Sequence, residues 1–141
     1  MLLNNSRPFA TIPSPGGSTS PRPLKHRWPM ASLGDLWIVD FGDPYPGEPA
    51  NRRPALILGP PESFGTALPF VIVVPLTTTD RSLSIHVEID PTDETGLDET
   101  SFAQCELIRS VNRIRLVHRL GNIDAVASTR VKSIVKTLLD H

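Results

Sequence analysis

Residues 69–79 read PFVIVVPLTTT. The eight residues Pro69 to Leu76 form the longest apolar stretch of the chain. That is well short of the roughly 18 residues a membrane-crossing helix needs. Its β-branched content, apolar at odd and even positions alike, predicts a strand buried on both faces. Three threonines follow at once, Thr77, Thr78 and Thr79, and then Asp80 and Arg81. Upstream, Pro54 to Leu58 (PALIL) reads as a short strand stopped by Gly59-Pro60-Pro61. Before it, Asp35 to Phe41 (DLWIVDF) is a second strand apolar on both faces, and Gly42 to Arg52, with Pro44, Gly47 and Pro49, is the loop between them.

Downstream, Ser84 to Asp90 (SIHVEID) alternates strictly, with Ile85, Val87 and Ile89 on one face and Ser84, His86, Glu88 and Asp90 on the other. That pattern predicts a half-exposed strand with His86 toward solvent. Ser101 to Val111 and Leu116 to Leu120 read as further strands, with Gly96 marking a turn. The end changes period: Val126, Val131, Ile134, Val135, Leu138 and Leu139 recur three and four apart behind Asp124, a natural N-cap. Short strands closed by one helix predict a mainly β fold, a small, strongly bent sheet or barrel with a C-terminal α-helix. Two strands buried on both faces in so small a domain point to cover from a partner, and so to a homodimer.

Length and composition narrow the classes. A chain of 141 residues is one domain, and 15 prolines exclude a helix bundle. One cysteine, Cys105, excludes an internal disulfide framework and a four-cysteine zinc site; it reads as a small core residue. The net charge of −1 hides an asymmetry. Residues 1–32 carry Arg7, Arg22, Lys25 and Arg27 and no acid, which is +4; residues 33–141 carry the other 10 basic residues and all 15 acids, which is −5. A globally basic nucleic-acid binder is excluded, so any polyanion must meet a local basic patch. Residues 1–32 also hold six of the 15 prolines and a Ser/Thr cluster without periodicity, and are expected to be a disordered basic extension. No secretory core precedes the domain, Met30 stands just before the first ordered-looking segment, and a cytoplasmic location away from membranes is expected.

Familiar catalytic patterns are absent: no Gly-rich phosphate loop, no GxSxG, no HExxH, no CxxC. The four histidines share no metal-ligand spacing; His86 and His118 are the one conceivable acid–base pair. Arg52-Arg53-Pro54 stands out instead. Pro54 biases Arg53 to extended geometry, and a guanidinium presents five donors suited to a phosphate. Glu48 in the same loop could pair with either arginine, which would make this an ordinary surface ion pair. Thr77 to Thr79 could likewise serve a ligand's oxygens or simply the backbone of a turn.

In order, GDLWIVDF (34–41), GEPANR (47–52), RPALIL (53–58), VVPLTTT (73–79), SIHVEI (84–89) and GLDETSFAQCELIRSVNRIRLVHRLGNID (96–124) resemble the MazF/PemK class of toxin endoribonucleases. The resemblance spans residues 33–140 and implies an SH3-like barrel of the CcdB/MazF type, working as a homodimer without metal or cofactor. It implies cleavage of single-stranded RNA at short sequences, through 2′-hydroxyl attack to a 2′,3′-cyclic phosphate and a 5′-hydroxyl. The family's catalytic arginine falls on Arg53 and its active-site hydroxyl on Thr77. RNA contacts are expected from Glu48, Arg52, Thr78 and Arg81, with Tyr45 and Phe64 as the loop aromatics for base stacking. The expected partner is a cognate antitoxin, a small MazE-like protein whose disordered segment folds on binding.

One departure bears on specificity: Leu107 stands where many relatives of that class carry glutamine. Two other readings of the same fold differ in activity. One is a CcdB-like toxin that binds DNA gyrase and cuts nothing; the other is a catalytically weak member that only binds antitoxin.

Overall fold

The structure, a computed structural model, describes residues 30–61 and 68–140. The expectations for the basic extension up to residue 29 and for Phe64 lie outside those residues. Seven strands and one helix follow in order: β1 (Asp35–Asp40), β2 (Arg52–Gly59), β3 (Phe70–Thr77), β4 (His86–Ile89), β5 (Ser101–Gln104), β6 (Arg109–Asn112), β7 (Leu116–Asn122) and α1 (Ala125–Leu139). The sheet runs β4-β5-β3-β2-β1-β7, with β6 also on β3. The class is as expected, mainly β with one terminal helix. The hydrogen-bonded circuit stays open between β4 and β7, so the barrel is not closed.

Two boundaries differ from the sequence reading in ways that matter. β2 begins at Arg52, not Pro54, because Arg52 and Arg53 pair with Asp40 and Val39 of β1. The two arginines therefore belong to the sheet, not to the loop. The single strand expected over Ser101–Val111 is two strands separated by a 3₁₀ turn at Cys105–Leu107. Both strands line the same edge of β3: Leu76 lies opposite Ala103, and Val73 opposite Arg109. The turn takes up three more residues on this segment than β3 spends over the same distance, which bends it around the domain.

Double burial of β1 and β3 has its cause inside the chain. Leu36, Leu56, Val74 and Leu76 face a core shared with Val87, Ala103, Val131 and Val135, where α1 packs. The alternate residues Trp37, Val39, Ala55, Ile57, Val71 and Val73 face a second core closed by Phe41, Val111 and Leu116. Period-two alternation thus serves two cores in one protomer, and both-face burial by itself calls for no partner. The helix starts as predicted: the Asp124 carboxylate accepts from the Ala127 N–H at 2.7 Å. Its buried stripe is narrower than the apolar pattern, since Val126, Leu138 and Leu139 are exposed. No described helix is long and apolar enough to cross a membrane.

Asp35 is the polar exception at the head of β1. Its buried carboxylate accepts from the Ser32 N–H (2.9 Å), the Trp37 indole N–H (3.4 Å) and Arg119 Nη2 (3.2 Å). Three donors offset the desolvation of the charge and fix β1 at this end; its other end carries the loop to β2.

Candidate functional site at one end of the sheet

At the far end of β1 the chain enters the loop to β2. Its base is tied by Phe41 N–H to Asn51 C=O (2.8 Å), Asn51 N–H to Gly42 C=O (2.7 Å) and Gly42 N–H to the Asp40 carboxylate (2.9 Å). Gly42 at φ +83° and Asn51 at φ +57° make the reversal possible. Strand alternation then separates the two arginines: Arg52 is exposed, whereas Arg53 is half-buried and its Nε donates to the Ala50 carbonyl at 3.4 Å. That bond occupies one N–H of the fork, and among the described residues the terminal nitrogens have no partner.

The register of β2 on β3 brings the second candidate alongside. Ala55 lies opposite Pro75, so continuing that register by two residues puts Arg53 abreast of Thr77. Thr77 ends β3, directly opposite Phe102 of β5, which in turn lies opposite Glu88 of β4. One row across the sheet therefore reads Arg53, Thr77, Phe102, Glu88. The Thr77 hydroxyl oxygen accepts from the Thr79 N–H at 3.2 Å, so the turn-capping role and the ligand role coexist: the oxygen serves the turn while the O–H remains available to donate. Thr78 and Arg81 lie exposed in the following loop, where Asp80 caps Ser82 N–H at 2.8 Å.

The remaining predicted residues sit on the β1–β2 loop. Tyr45 and Glu48 are exposed, joined only by the Glu48 N–H to Tyr45 C=O bond of 3.0 Å. Glu48 makes no ion pair with Arg52 or Arg53; among the described residues Asp35 is paired with Arg119, and Glu106 meets the His86 imidazole. The arginines at the loop are thus not neutralised locally. Two further ones join them that sequence reading did not single out. Arg115 Nη1 donates to the Asp40 carbonyl at 3.1 Å, and the Arg109 guanidinium lies 5.6 Å from the centre of the Phe41 ring. Both come from β6 and the turn after it, about seventy residues downstream of the Phe41 and Asp40 they meet, so no local pattern could have announced them.

Arg52 and Arg53 pair with Asp40 and Val39, and Arg115 and Arg109 reach Asp40 and Phe41, so four arginines gather about this end of β1; a domain of charge −5 requires such local basic residues to meet a polyanion. The acids Asp90, Asp93, Glu94, Asp98 and Glu99 lie on the β4–β5 connection. Its midpoint is held at the opposite end of β1, where the Glu94 carbonyl accepts from Asn122 N–H, a residue paired with Asp35.

His86 corrects the sequence reading. It is buried, not solvated, because the face of β4 that alternation leaves polar is covered by the 3₁₀ turn carrying Glu106. Its Nε2 lies 3.0 and 2.9 Å from the two Glu106 carboxylate oxygens. It forms no pair with His118, which is exposed on β7 at the other edge of the sheet. Cys105 is fully buried, as expected; burial, aided by the neighbouring Glu106 charge, pushes its thiol up to about 11, which keeps it from acting as a nucleophile. Among the described residues, no three His, Cys, Asp or Glu side chains are grouped to hold a metal ion.

The chain is similar to known proteins in both sequence and fold. The chain is 28% identical over 115 residues to endoribonuclease MazF9 of Mycobacterium tuberculosis, covering 79% of this chain and 98% of that one. It is 34% identical over 91 residues to a probable endoribonuclease MazF of Mycolicibacterium smegmatis, covering 64% and 79%. In fold it matches the crystal structure of MazF from Deinococcus radiodurans with a TM-score of 0.68 at 21% identity, over 79% of this chain and 97% of the other. A mycobacterial endoribonuclease solved in complex with its cognate antitoxin matches at 0.62 and 23% identity, over 77% and 95%. Residues 32–139 match the model of the PemK-like, MazF-like toxins of type II toxin–antitoxin systems, and the chain belongs to that family.

Proposed function

We propose that this chain is the toxin of its toxin–antitoxin pair and acts as an endoribonuclease, cutting single-stranded RNA at short sequences with Arg53 and Thr77 as its catalytic residues. What supports this reading is the β2–β3 register, with Ala55 opposite Pro75, whose continuation sets Arg53 level with Thr77 at an end of the sheet where four arginines have no carboxylate partner among the described residues.

The nucleophile is the substrate's own 2′-hydroxyl, already beside the phosphorus, so proximity supplies much of the rate. The O2′–P bond forms as the P–O5′ bond breaks. The 2′-hydroxyl proton is lost and the departing 5′-oxygen gains one, leaving a 2′,3′-cyclic phosphate and a 5′-hydroxyl. The protein's task is to hold the phosphate in line and stabilise the charge that builds on its oxygens. The free fork of Arg53 binds two of those oxygens, and the Thr77 O–H donates to a third contact while Thr79 N–H holds its oxygen in place. Arg52 and Arg81 neutralise flanking phosphates, Thr78 hydrogen-bonds beside Thr77, and Tyr45, 65% exposed on the loop, offers a stacking face with Glu48 next to it.

The working form is a homodimer, for which the exposed side chains of Phe70 and Ile114, at neighbouring ends of β3 and β6, supply apolar surface. The partner that silences it is a small antitoxin with an acidic disordered segment, complementary to the arginine patch.

Primer extension along a long single-stranded RNA, treated with the purified protein in EDTA, tests this reading. Discrete stops at a recurring short sequence are expected. A folded protein that leaves the RNA intact with and without added magnesium would overturn it.

A further inference from the structure

Beside the catalytic row lies a second polar cluster. Gln104 stands directly opposite His86 in the β4–β5 ladder, and Phe102, two residues earlier on the same face of β5, stands opposite Thr77. Residues two apart on a strand share a face at a spacing of about 7 Å. The His86–Gln104 pair is therefore one step along the sheet from the Thr77–Phe102 pair. Glu106, carried by the 3₁₀ turn, completes the cluster at 2.9 Å from His86.

The cluster is costly in a domain this small. His86 and Gln104 are 7% and 6% exposed, and His86 Nδ1 and Gln104 Oε1 have no hydrogen-bond partner among the described residues. Buried polar atoms left unpaired destabilise a fold, so apolar residues at both positions would give a more stable protein. What the cluster accomplishes is the placement of a carboxylate. The imidazole, with its side chain only 2% exposed, is fixed by packing and holds both Glu106 oxygens through Nε2–H. The Glu106 side chain is 31% exposed, and each of its oxygens has a second lone pair beyond the one it offers His86. The result is an acceptor-only group at the surface, just beyond the His86–Gln104 pair, which is itself one step along the sheet from Thr77 and the half-buried Phe102.

Resting on the endoribonuclease reading above, we infer that Glu106 is a specificity-determining residue that accepts a hydrogen bond from the exocyclic amino group of a base flanking the cut, adenine N6 or cytosine N4, with that base against Phe102. His86 is its positioning residue. A carboxylate is suited to this choice: it accepts from an amino group and repels the carbonyl oxygens that uracil presents at the same place. Leu107, next in the chain, offers no competing polar group.

The test is the cleavage motif, read by sequencing the ends formed from a randomised RNA pool by wild type, Glu106→Gln, His86→Phe and His86→Gln. Wild type is expected to require adenine or cytosine at one position beside the cut. Glu106→Gln, which turns one acceptor into a donor, is expected to lose that preference at least tenfold and to admit uracil there, while the other positions of the motif stay unchanged. His86→Phe removes the N–H and reproduces the loss; His86→Gln restores a side-chain N–H and with it most of the preference, an outcome a purely structural role would not give. Glu106→Gln cutting the wild-type motif with its ranking unchanged, or slowing all sequences alike, overturns the inference while the nuclease reading stands. Wild type that cuts no RNA overturns both.

Discussion

Replacing Arg53 by alanine is expected to lower the rate of RNA cleavage about a thousandfold, and replacing Thr77 by alanine roughly a hundredfold, with the thermal stability of both variants staying near that of wild type. The magnitudes follow from what each group does. Removing one preorganised donor from a site of developing charge costs about 10²–10³ in rate, and Arg53 contributes a full charge besides. Both side chains sit at the sheet's end and are only half-buried, so their loss opens no core cavity. Arg53→Lys keeps the charge but loses the planar fork, and is expected to recover only part of the rate. Single-turnover cleavage of a short RNA containing the mapped sequence measures all three. Wild-type rates in Arg53→Ala would remove this residue from the reaction.

The second large effect concerns the fold. A β-carbon at Gly121 would collide with the carbonyl groups of Glu94 and Thr95, and one at Gly96 with the carbonyl of Leu120. The β4–β5 connection crosses β7 backbone against backbone here, and neither chain can yield without loss of the bond from Asn122 N–H to Glu94 C=O. Gly121→Ala is expected to cost more than about 3 kcal/mol, a fall in melting temperature on the order of 10 °C. Gly47→Ala is the reference: its β-carbon would meet nothing within 4 Å, and its φ of +80° alone predicts a cost of about 1–2 kcal/mol. Equal melting temperatures for the two variants would contradict the close crossing. The crossing also bears on function, because it anchors the connection that sets β5 in register and so places Phe102 opposite Thr77.

What was legible in the sequence was whatever a short window encodes. The apolar runs of β1 and β3, the Asp124 cap and the helix behind it all depend on neighbours within a turn or two of chain. Arg53 and Thr77 were legible as a pair only through the resemblance of ordered segments, since each alone fits an ordinary loop end. Tertiary contacts hid the rest. His86 looked solvated because alternation assigns a face but not what covers it, and the cover, Glu106, is twenty residues away. Arg109 and Arg115 reach Phe41 and Asp40 across the bend of the sheet. The both-face burial that suggested a partner is met by two cores within one protomer, because the sheet curls far enough to enclose its own second face.

In the proposed reaction the substrate supplies its own nucleophile and the protein, through Arg53 and Thr77, supplies the charge stabilisation. One measurement tests it most directly: cleavage of two otherwise identical oligoribonucleotides bearing the mapped sequence, one with a single 2′-deoxy nucleotide 5′ to the scissile phosphate. The fully ribose strand is predicted to be cut to a 2′,3′-cyclic phosphate and a 5′-hydroxyl, and the deoxy strand to bind and remain intact. Cutting of the deoxy strand at the same bond would contradict the account.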